Sequence, residues 1–167
     1  MCPGYEADPR ETNDLRKTAV IDCELKRLGV GIAALQETRL SGTGSLREKN
    51  YTFFWKGKAA DESRLHGVGF AVHNSLLSSV EPPSGGTERI LQLRLSTISG
   101  VVTVFSVYSP TLGAPEDEKD KFYSELDALV GSVPKSTTFF SLATSMPELA
   151  LTTSPGPPVS AGMAWAI

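Results

Sequence analysis

The sequence predicts an α/β protein built in layers, because segments with helical periodicity alternate with segments typical of strands. An amphipathic helix precedes a short apolar run at residues 30–35, and a second helix at about residues 116–130 follows a predicted β-hairpin. With 167 residues, of which 40% are hydrophobic and 21% charged, the chain is long enough for one globular core. We therefore predict one α/β domain.

The first helix is predicted to begin at Asn13 or Asp14, since either side chain can cap a helix N-terminus. Its apolar residues recur at positions i, i+4 and i+7, so they share one face. Gly29 follows, where glycine commonly ends a helix. The apolar positions are Ile21, Leu25 and Leu28.

Three strands are predicted after this helix. The continuous apolar run at residues 30–35 is typical of a strand in a sheet that is covered on both faces. Residues 51–56 and 67–73 are rich in aromatic and β-branched side chains, which favour strands. Residues 42–50 are polar and are expected to form a loop.

A hairpin and a helix follow. Residues 89–96 alternate between apolar and polar side chains with a period of two, as in a strand with one buried face. Ser99 and Gly100 supply a turn, and residues 101–108 return as an apolar strand. Residues 116–130 begin with acidic side chains and have apolar residues at helical spacing, so they are predicted to form the second helix.

Composition narrows the class of protein. The formal net charge of −3 gives no overall attraction to nucleic acid, although an acidic protein can still carry a local basic patch. The two cysteines, Cys2 and Cys23, form neither a disulfide framework nor a metal-ligand spacing. No signal-like segment and no run of about 18 apolar residues occurs. We expect an intracellular protein, nuclear or cytoplasmic, that is neither secreted nor membrane-bound.

Two candidate site residues stand at the ends of predicted strands. Glu37 follows the apolar strand at residues 30–35, and Tyr108 closes the strand at residues 101–108. Loops converge at strand ends in layered α/β folds, where a carboxylate can bind a hard divalent cation and a phenol can donate to a phosphoryl oxygen. The structural alternative is a solvated glutamate and a half-buried tyrosine whose hydroxyl group contacts water.

Other candidates are weaker. His66 and His73 have no Ser, Cys or carboxylate at a spacing typical of a catalytic triad or a metal site, so core or surface positions are expected for them. The Gly-Val-Gly sequence at residues 67–69 lacks the Lys-Ser/Thr of a phosphate-binding loop and opens a strand. We interpret it as a place of close backbone packing.

Five segments carry a family resemblance: RKTAVIDCELKRLGVGIAALQETRL, GSLREKNYTFFWKGK, RLHGVGFAVHNSLL, GTERILQLRLST and VYSPT. Within roughly residues 14–135 they closely resemble the endonuclease domain of RTE-type non-LTR retrotransposons and its craniofacial development protein 2-like relatives. The parent class is the endonuclease/exonuclease/phosphatase superfamily. The resemblance implies a DNase I-like fold, a two-sheet β-sandwich flanked by helices, in which a central strand leads to Glu37.

The resemblance also implies an activity. In that superfamily the Glu of the Gln-Glu-Thr sequence is a magnesium ligand, which assigns Glu37 as a Mg²⁺ ligand, and the Tyr of the Tyr-x-Pro sequence contacts the scissile phosphate, which assigns that contact to Tyr108. Both residues are then catalytic, DNA is the partner, and no cofactor other than the metal is implied. Cleavage of a phosphodiester needs charge stabilisation and an activated water, which one Glu and one Tyr cannot both supply.

Several family segments are missing from this sequence. Family members have a first strand carrying an Asn upstream of the point where this chain starts, and later a Gly-Asp-Phe-Asn-Ala segment and a Ser-Asp-His segment. We expect three regions: a disordered segment at 1–13, a partial domain at 14–140 that lacks the first strand and C-terminal half, and a tail at 141–167 that does not pack with the domain.

The tail is interpreted as the product of a frameshift. In the shifted reading frame, each codon combines the third base of one residue's codon with the first two bases of the next residue's codon. Over residues 142–167 such a frame can encode GDFNARVGTDHQSWPASLGRHGVGN. Met and Trp each have a single codon, so the shifted codons that follow Met146, Met163 and Trp165 can encode only Ala, Gly and Gly. These are the residues that the shifted frame requires at those positions. We therefore expect a truncated, inactive fragment of a Mg²⁺-dependent endonuclease. The alternatives are a non-catalytic remnant or interaction module of the same fold, and another phosphodiesterase or phosphatase branch.

Overall fold

The computed structural model describes residues 9–59, 66–83, 85–134 and 138–144. No helix within these ranges is long and apolar enough to cross a membrane. The elements in chain order are α1 (Pro9–Leu28), β1 (Ile32–Gln36), β2 (Thr43–Arg47), β3 (Tyr51–Lys56), β4 (Val68–His73), a 3-10 helix (Asn74–Ser79), β5 (Val80–Glu81), β6 (Ile90–Thr97), β7 (Gly100–Tyr108), α2 (Glu116–Gly131) and β8 (Thr138–Thr144).

The strands form two four-stranded sheets, with the orders β1-β4-β3-β2 and β5-β6-β7-β8. All pairs in the first sheet are antiparallel. In the second sheet, β6 and β7 form the predicted antiparallel hairpin, and α2 is the crossover that brings β8 parallel to β7. The strand that the resemblance implies to be central, β1, pairs with β4 alone among the described residues and lies at the edge of its sheet.

The two sheets pack face to face over one apolar layer. Side chains alternate along each strand, so every second residue of β1, β4, β6 and β7 points to this layer. The buried members are Ile32, Ala34, Val68, Phe70, Val72, Val80, Leu91, Leu93 and Val104. The intervening residues point outward, and each outer face is covered by a helix.

Helix α1 covers the first sheet, where Leu25 packs with Ala33, Phe53 and Ala71. Helix α2 covers the second, where Phe122 packs with Ile90, Phe105 and Val107. The order of layers is therefore helix, sheet, sheet, helix. This arrangement confirms the prediction of an α/β protein with a two-sheet β-sandwich flanked by helices.

Two element predictions are corrected by the structure. Residues 42–50, expected to be a loop, contain β2, a short polar edge strand that pairs with β3 and so needs no apolar pattern of its own. Helix α1 begins at Pro9, not at Asn13 or Asp14, so residues 9–13 of the segment predicted to be disordered are helical. Pro9 is compatible with this start because proline is tolerated in the first helical turn.

The boundary predicted after residue 140 is crossed by β8. This strand runs through Thr144 and pairs with β7 from Val102↔Thr138 to Tyr108↔Thr144. Residues 141–144 therefore extend the sheet, because a segment rich in Thr and Phe suits a strand whatever the origin of its sequence. The tail from residue 145 onward lies outside the described residues, so the rest of the three-region division stays a prediction.

A buried carboxylate joins α1 to the β2–β3 turn. Asp22 is 3% exposed, and its oxygens accept hydrogen bonds from the backbone N–H groups of Asn50 and Tyr51 at 2.9 and 2.8 Å and from the Asn50 amide at 2.6 Å. Burial raises the pKa of Asp22, but these hydrogen bonds outweigh it, so the pKa is lowered overall. Asp22 therefore remains ionised at neutral pH.

We expect Asp22→Ala to lower the free energy of unfolding by about 2–3 kcal/mol, because it leaves buried N–H groups without an acceptor. Urea unfolding at pH 7 measures the loss. Glu24→Ala on the same helix is the control, since Glu24 is exposed and forms a surface ion pair with Arg27, and it should change the stability by less than about 0.5 kcal/mol. Equal losses of stability in the two variants would contradict the role of Asp22 in joining α1 to the β2–β3 turn.

The same carboxylate predicts a pH dependence. Because the pKa of Asp22 is lower in the folded protein than the ordinary value of about 3.9, its stabilisation is fully present above that value. It is lost as the pH falls below that value and through the folded-state pKa. The stability difference between the original chain and Asp22→Asn should therefore shrink progressively below about pH 4. A difference that stays constant down to pH 2.5 would refute this assignment.

Candidate functional site

The two predicted site residues meet at one end of the sandwich. Glu37 follows the last residue of β1, and Tyr108 is the last residue of β7. The Tyr108 hydroxyl group donates a hydrogen bond of 2.5 Å to Oε1 of Glu37. The structure thus brings together two side chains that are 71 positions apart in the sequence and belong to different sheets.

The strand period explains why Tyr108 faces Glu37. Val104, Ser106 and Tyr108 occupy alternate positions of β7, so they share the face that points to the other sheet. Ser106 Oγ donates to the backbone carbonyl of Leu35 in β1 at 3.2 Å. Two residues beyond Ser106 and two beyond Leu35, the same face presents the phenol of Tyr108 to the carboxylate of Glu37.

The backbone around Glu37 is held in a strained shape. Glu37 and Arg39 have φ angles of 50° and 54°, in the left-handed region that glycine adopts most easily. Between them, the Thr38 N–H donates to the Gly67 carbonyl at 3.1 Å, and the Arg39 N–H donates to the His66 carbonyl at 3.2 Å. These two hydrogen bonds attach the segment to the residues preceding β4 and compensate for part of the strain.

Gly67 is needed for this attachment. A Cβ atom at residue 67 would lie 2.4 Å from Oγ1 of Thr38, and the φ angle of Gly67 is 128°. The interpretation of residues 67–69 as a place of close backbone packing agrees with this geometry. The glycine therefore contributes to the site by letting the Glu37 segment approach β4.

The charges at the site keep the phenol protonated. The hydrogen bond to Glu37 raises the pKa of Tyr108, burial and the negative charge of Glu37 raise it further, and Arg89 and Arg39 oppose this rise. The guanidinium group of Arg39 lies 3.6 Å from Oε2 of Glu37, and both side chains are at least half exposed. Tyr108 is thus a hydrogen-bond donor at neutral pH, beside a carboxylate that also faces a cation.

Arg89, which the sequence did not single out, lies behind Tyr108. It is 9% exposed, and Nη1 donates to the backbone carbonyl of Tyr108 at 3.3 Å. Its Nη2 donates to Oε1 of Glu118, in the first turn of α2, and lies 3.0 Å from Nε2 of His66. Its Cζ atom lies 5.6 Å from the centroid of the Tyr108 ring. One buried guanidinium therefore contacts β7, α2 and the segment before β4.

The two histidines have different positions. His73 accepts a hydrogen bond from the backbone N–H of Ser75 and packs edge-on against Tyr51 at the end of β4. His66 instead lies 5.9 Å from the Tyr108 ring, between centroids. Burial lowers the pKa of His66, and the positive charges of Arg89 and Lys58 lower it further, so the imidazole is neutral at pH 7.

The contact with Arg89 also selects a tautomer of His66. Because the guanidinium can only donate, Nε2 of His66 accepts, and the imidazole proton is on Nδ1. Nδ1 of His66 and Oγ1 of Thr38 are buried and have no hydrogen-bond partner in the described part of the chain. Both groups flank the attachment of the Glu37 segment.

The described residues do not by themselves form a magnesium site. No group of three or more His, Cys, Asp or Glu side chains that could hold a metal ion occurs within the described ranges. Glu37 is the carboxylate at the strand ends, and its two oxygens already contact Tyr108 and Arg39. Magnesium prefers an octahedral set of oxygen ligands, so one carboxylate engaged in this way does not fit the ion.

The two-sheet sandwich flanked by helices is the DNase I-like fold that the sequence predicts. The crystal structure of the AP endonuclease LMAP from Leishmania major aligns with 77% of this chain and 50% of its own chain, with a TM-score of 0.51 and 15% sequence identity. The endonuclease domain of TRAS1, a telomere-specific non-LTR retrotransposon, covers 75% of this chain and 52% of its own, with a TM-score of 0.45 and 18% identity. At 15% identity, the likeness to the Leishmania structure concerns the fold alone.

The sequence relatives are more specific. Craniofacial development protein 2 of Bos taurus is 26% identical over 124 residues, which are 74% of this chain and 21% of that protein. The same protein of Tragulus javanicus gives the same figures. The chain thus spans about a fifth of the length of the curated relatives it matches. These matches confirm the resemblance found in the sequence, while no protein-family model matches the chain.

The strained backbone yields a stability prediction. Glu37→Ala and Glu37→Gly both remove the carboxylate, but only glycine adopts a φ angle of 50° without steric cost. We expect the Gly variant to be more stable than the Ala variant by about 0.5–1 kcal/mol, after allowing for the greater flexibility of glycine in the unfolded chain. Urea unfolding of both variants measures this difference. An Ala variant that is the more stable of the two would show that residue 37 is not left-handed.

Proposed function

We propose that this chain is part of a retrotransposon-derived, DNase I-like endonuclease domain that acts on DNA phosphodiester bonds, and that the chain as given does not cleave DNA. The observation that carries the proposal is the Glu37–Tyr108 hydrogen bond at the end of the sandwich. It joins the two side chains to which the sequence resemblance assigns metal binding and phosphate contact. The roles of both residues, and of Mg²⁺, belong to this proposal.

The site has groups suited to a phosphate. Tyr108 is a neutral hydrogen-bond donor. Its hydroxyl group, which donates to Glu37, can donate to a phosphoryl oxygen instead. Arg39 is 68% exposed beside it and can approach a phosphate bidentately. A DNA backbone laid across the ends of β1 and β7 would therefore meet a phenol and a guanidinium.

The same geometry supports the inactivity of this chain. Hydrolysis needs a base for the attacking water and positive charge at the phosphoryl oxygens. Glu37 is restrained by Tyr108 and Arg39, and the described residues place no other carboxylate in a metal-binding group with it. We expect Mg²⁺ to bind weakly, because it would depend mainly on water ligands. The engaged carboxylate of Glu37 favours the non-catalytic alternative over an active enzyme.

A nicking assay tests the inactivity. Purified protein is incubated with supercoiled plasmid and Mg²⁺ or Mn²⁺, and the conversion to open circles is followed on a gel. We expect no difference between the original chain and Glu37→Ala, because catalytic groups that act together lose many powers of ten when some are absent. Nicking by the original chain that disappears in Glu37→Ala would overturn the proposed inactivity, and nicking common to both preparations would indicate a contaminating nuclease.

A binding assay tests the DNA partner. Fluorescence anisotropy with a short labelled duplex at low salt should show Arg39→Gln binding roughly two- to fivefold more weakly than the original chain, as expected for one lost phosphate contact. Arg27→Gln is a matched control, because Arg27 is also 68% exposed and also paired with a glutamate. It lies on α1, which leads into the opposite end of β1. Equal weakening by both variants would argue against DNA at this site.

A further inference from the structure

Arg89 connects both halves of the Glu37–Tyr108 pair. Arg89 and Tyr108 face each other at the end of the β6–β7 hairpin, where the Tyr108 N–H donates to the Arg89 carbonyl at 2.8 Å and Nη1 of Arg89 donates to the Tyr108 carbonyl at 3.3 Å. Main chain and side chain of one residue thus hold the backbone that carries the phenol. The guanidinium also lies against the face of the Tyr108 ring.

The other half of the pair is connected to Arg89 through His66. The residues after Glu37 donate their N–H groups to the carbonyls of His66 and Gly67. The imidazole of His66 in turn accepts from Nη2 of Arg89. These contacts form a closed ring. Arg89 contacts Tyr108, the phenol of Tyr108 contacts Glu37, the backbone after Glu37 is hydrogen-bonded to His66, and His66 contacts Arg89.

A charged group with only 10% of its side chain exposed must have specific partners. Glu118 supplies the opposite charge from the first turn of α2, where it is 41% exposed. A guanidinium has donors in a rigid planar fork and can serve Tyr108, His66 and Glu118 at the same time, whereas a lysine ammonium is a single point charge. The three contacts therefore require arginine and not merely a cation.

We propose that Arg89 is the positioning residue of this site, holding the backbone of Tyr108, the segment that carries Glu37 and the start of α2 in one arrangement. The importance of the pair rests on the proposed function, but the coupling is a property of the folded chain. It acts without contacting DNA or metal, so Arg89 is distinct from the residues that would touch a substrate.

The test uses the hydrogen bond of Tyr108 as a spectroscopic signature. With tyrosine labelled by ¹³C at Cζ, the chain shows one resonance for each of its four tyrosines, and Tyr108→Phe identifies that of Tyr108. Glu37→Gln gives the position of this resonance when the carboxylate acceptor is gone. All spectra are recorded at pH 7 without DNA and without metal, so the outcome is independent of whether the chain binds or cleaves DNA.

We expect Arg89→Lys to move the Tyr108 resonance most of the way to its position in Glu37→Gln, although the positive charge is kept. Arg94→Gln is the matched control: Arg94 lies on β6, which Arg89 directly precedes, pairs with Glu81 and is 41% exposed, and its loss should leave the resonance unchanged. An unchanged Tyr108 resonance in a folded Arg89→Lys variant would overturn the proposal, since Arg89 would then stabilise the core without positioning the pair.

A second variant covers the case in which Arg89→Lys does not fold. Glu118→Ala removes only the half-exposed partner of the ion pair and should remain folded, as the unfolding transition of each variant will show. We expect it to shift the Tyr108 resonance in the same direction as Arg89→Lys, but by less. A Glu118→Ala resonance that coincides with the original one would refute the coupling between α2 and the pair.

Discussion

The apolar layer between the two sheets is the constraint on which the site depends. Glu37 and Tyr108 lie on different sheets, and no turn or helix connects them directly. Their separation is set by how closely β1 and β4 pack against β6 and β7, through side chains such as Phe70 and Leu93. Close-packed interiors have low compressibility, so the packing of the layer fixes the distance between the ends of the two sheets. At this distance a short hydrogen bond can form.

Much of the fold could be predicted because apolar periodicity is a local property. Residues 89–96 alternate between apolar and polar side chains, residues 51–56 are rich in aromatic side chains, and α2 has Phe122, Leu126 and Leu129 at helical spacing. These elements could therefore be recognised in the sequence. β2 could not be found in this way, because its sequence of Thr, Gly, Ser, Leu and Arg has no apolar pattern. It is a strand because it pairs with β3. β8 was obscured for a different reason: the resemblance ends close to it, but pairing with β7 requires only a suitable local sequence.

The site was only partly predictable. A carboxylate and a phenol at strand ends were visible as candidates, and the resemblance gave them roles. Arg89 was not singled out, because arginine is normally exposed, and His66 was considered only a weak candidate, because a lone histidine forms no catalytic or metal-binding pattern. Their involvement depends on contacts between segments far apart in the sequence, such as those of Arg89 with His66 and with Glu118 of α2. The one available signal was Arg89 standing next to the first residue of a strand that pairs with the strand of Tyr108.

The alternation of side chains along β7 has a consequence for how this site tolerates changes in chain length. Inserting or deleting one residue between the β6–β7 turn and Tyr108 would turn the phenol to the α2 side, where Phe105 and Val107 now pack. A change of two residues would restore the face but displace the phenol by about 7 Å along the strand, beyond the reach of Glu37. Conservative substitutions within the strand preserve this phase. The site is therefore far more sensitive to the length of the hairpin than to the identity of most of its residues.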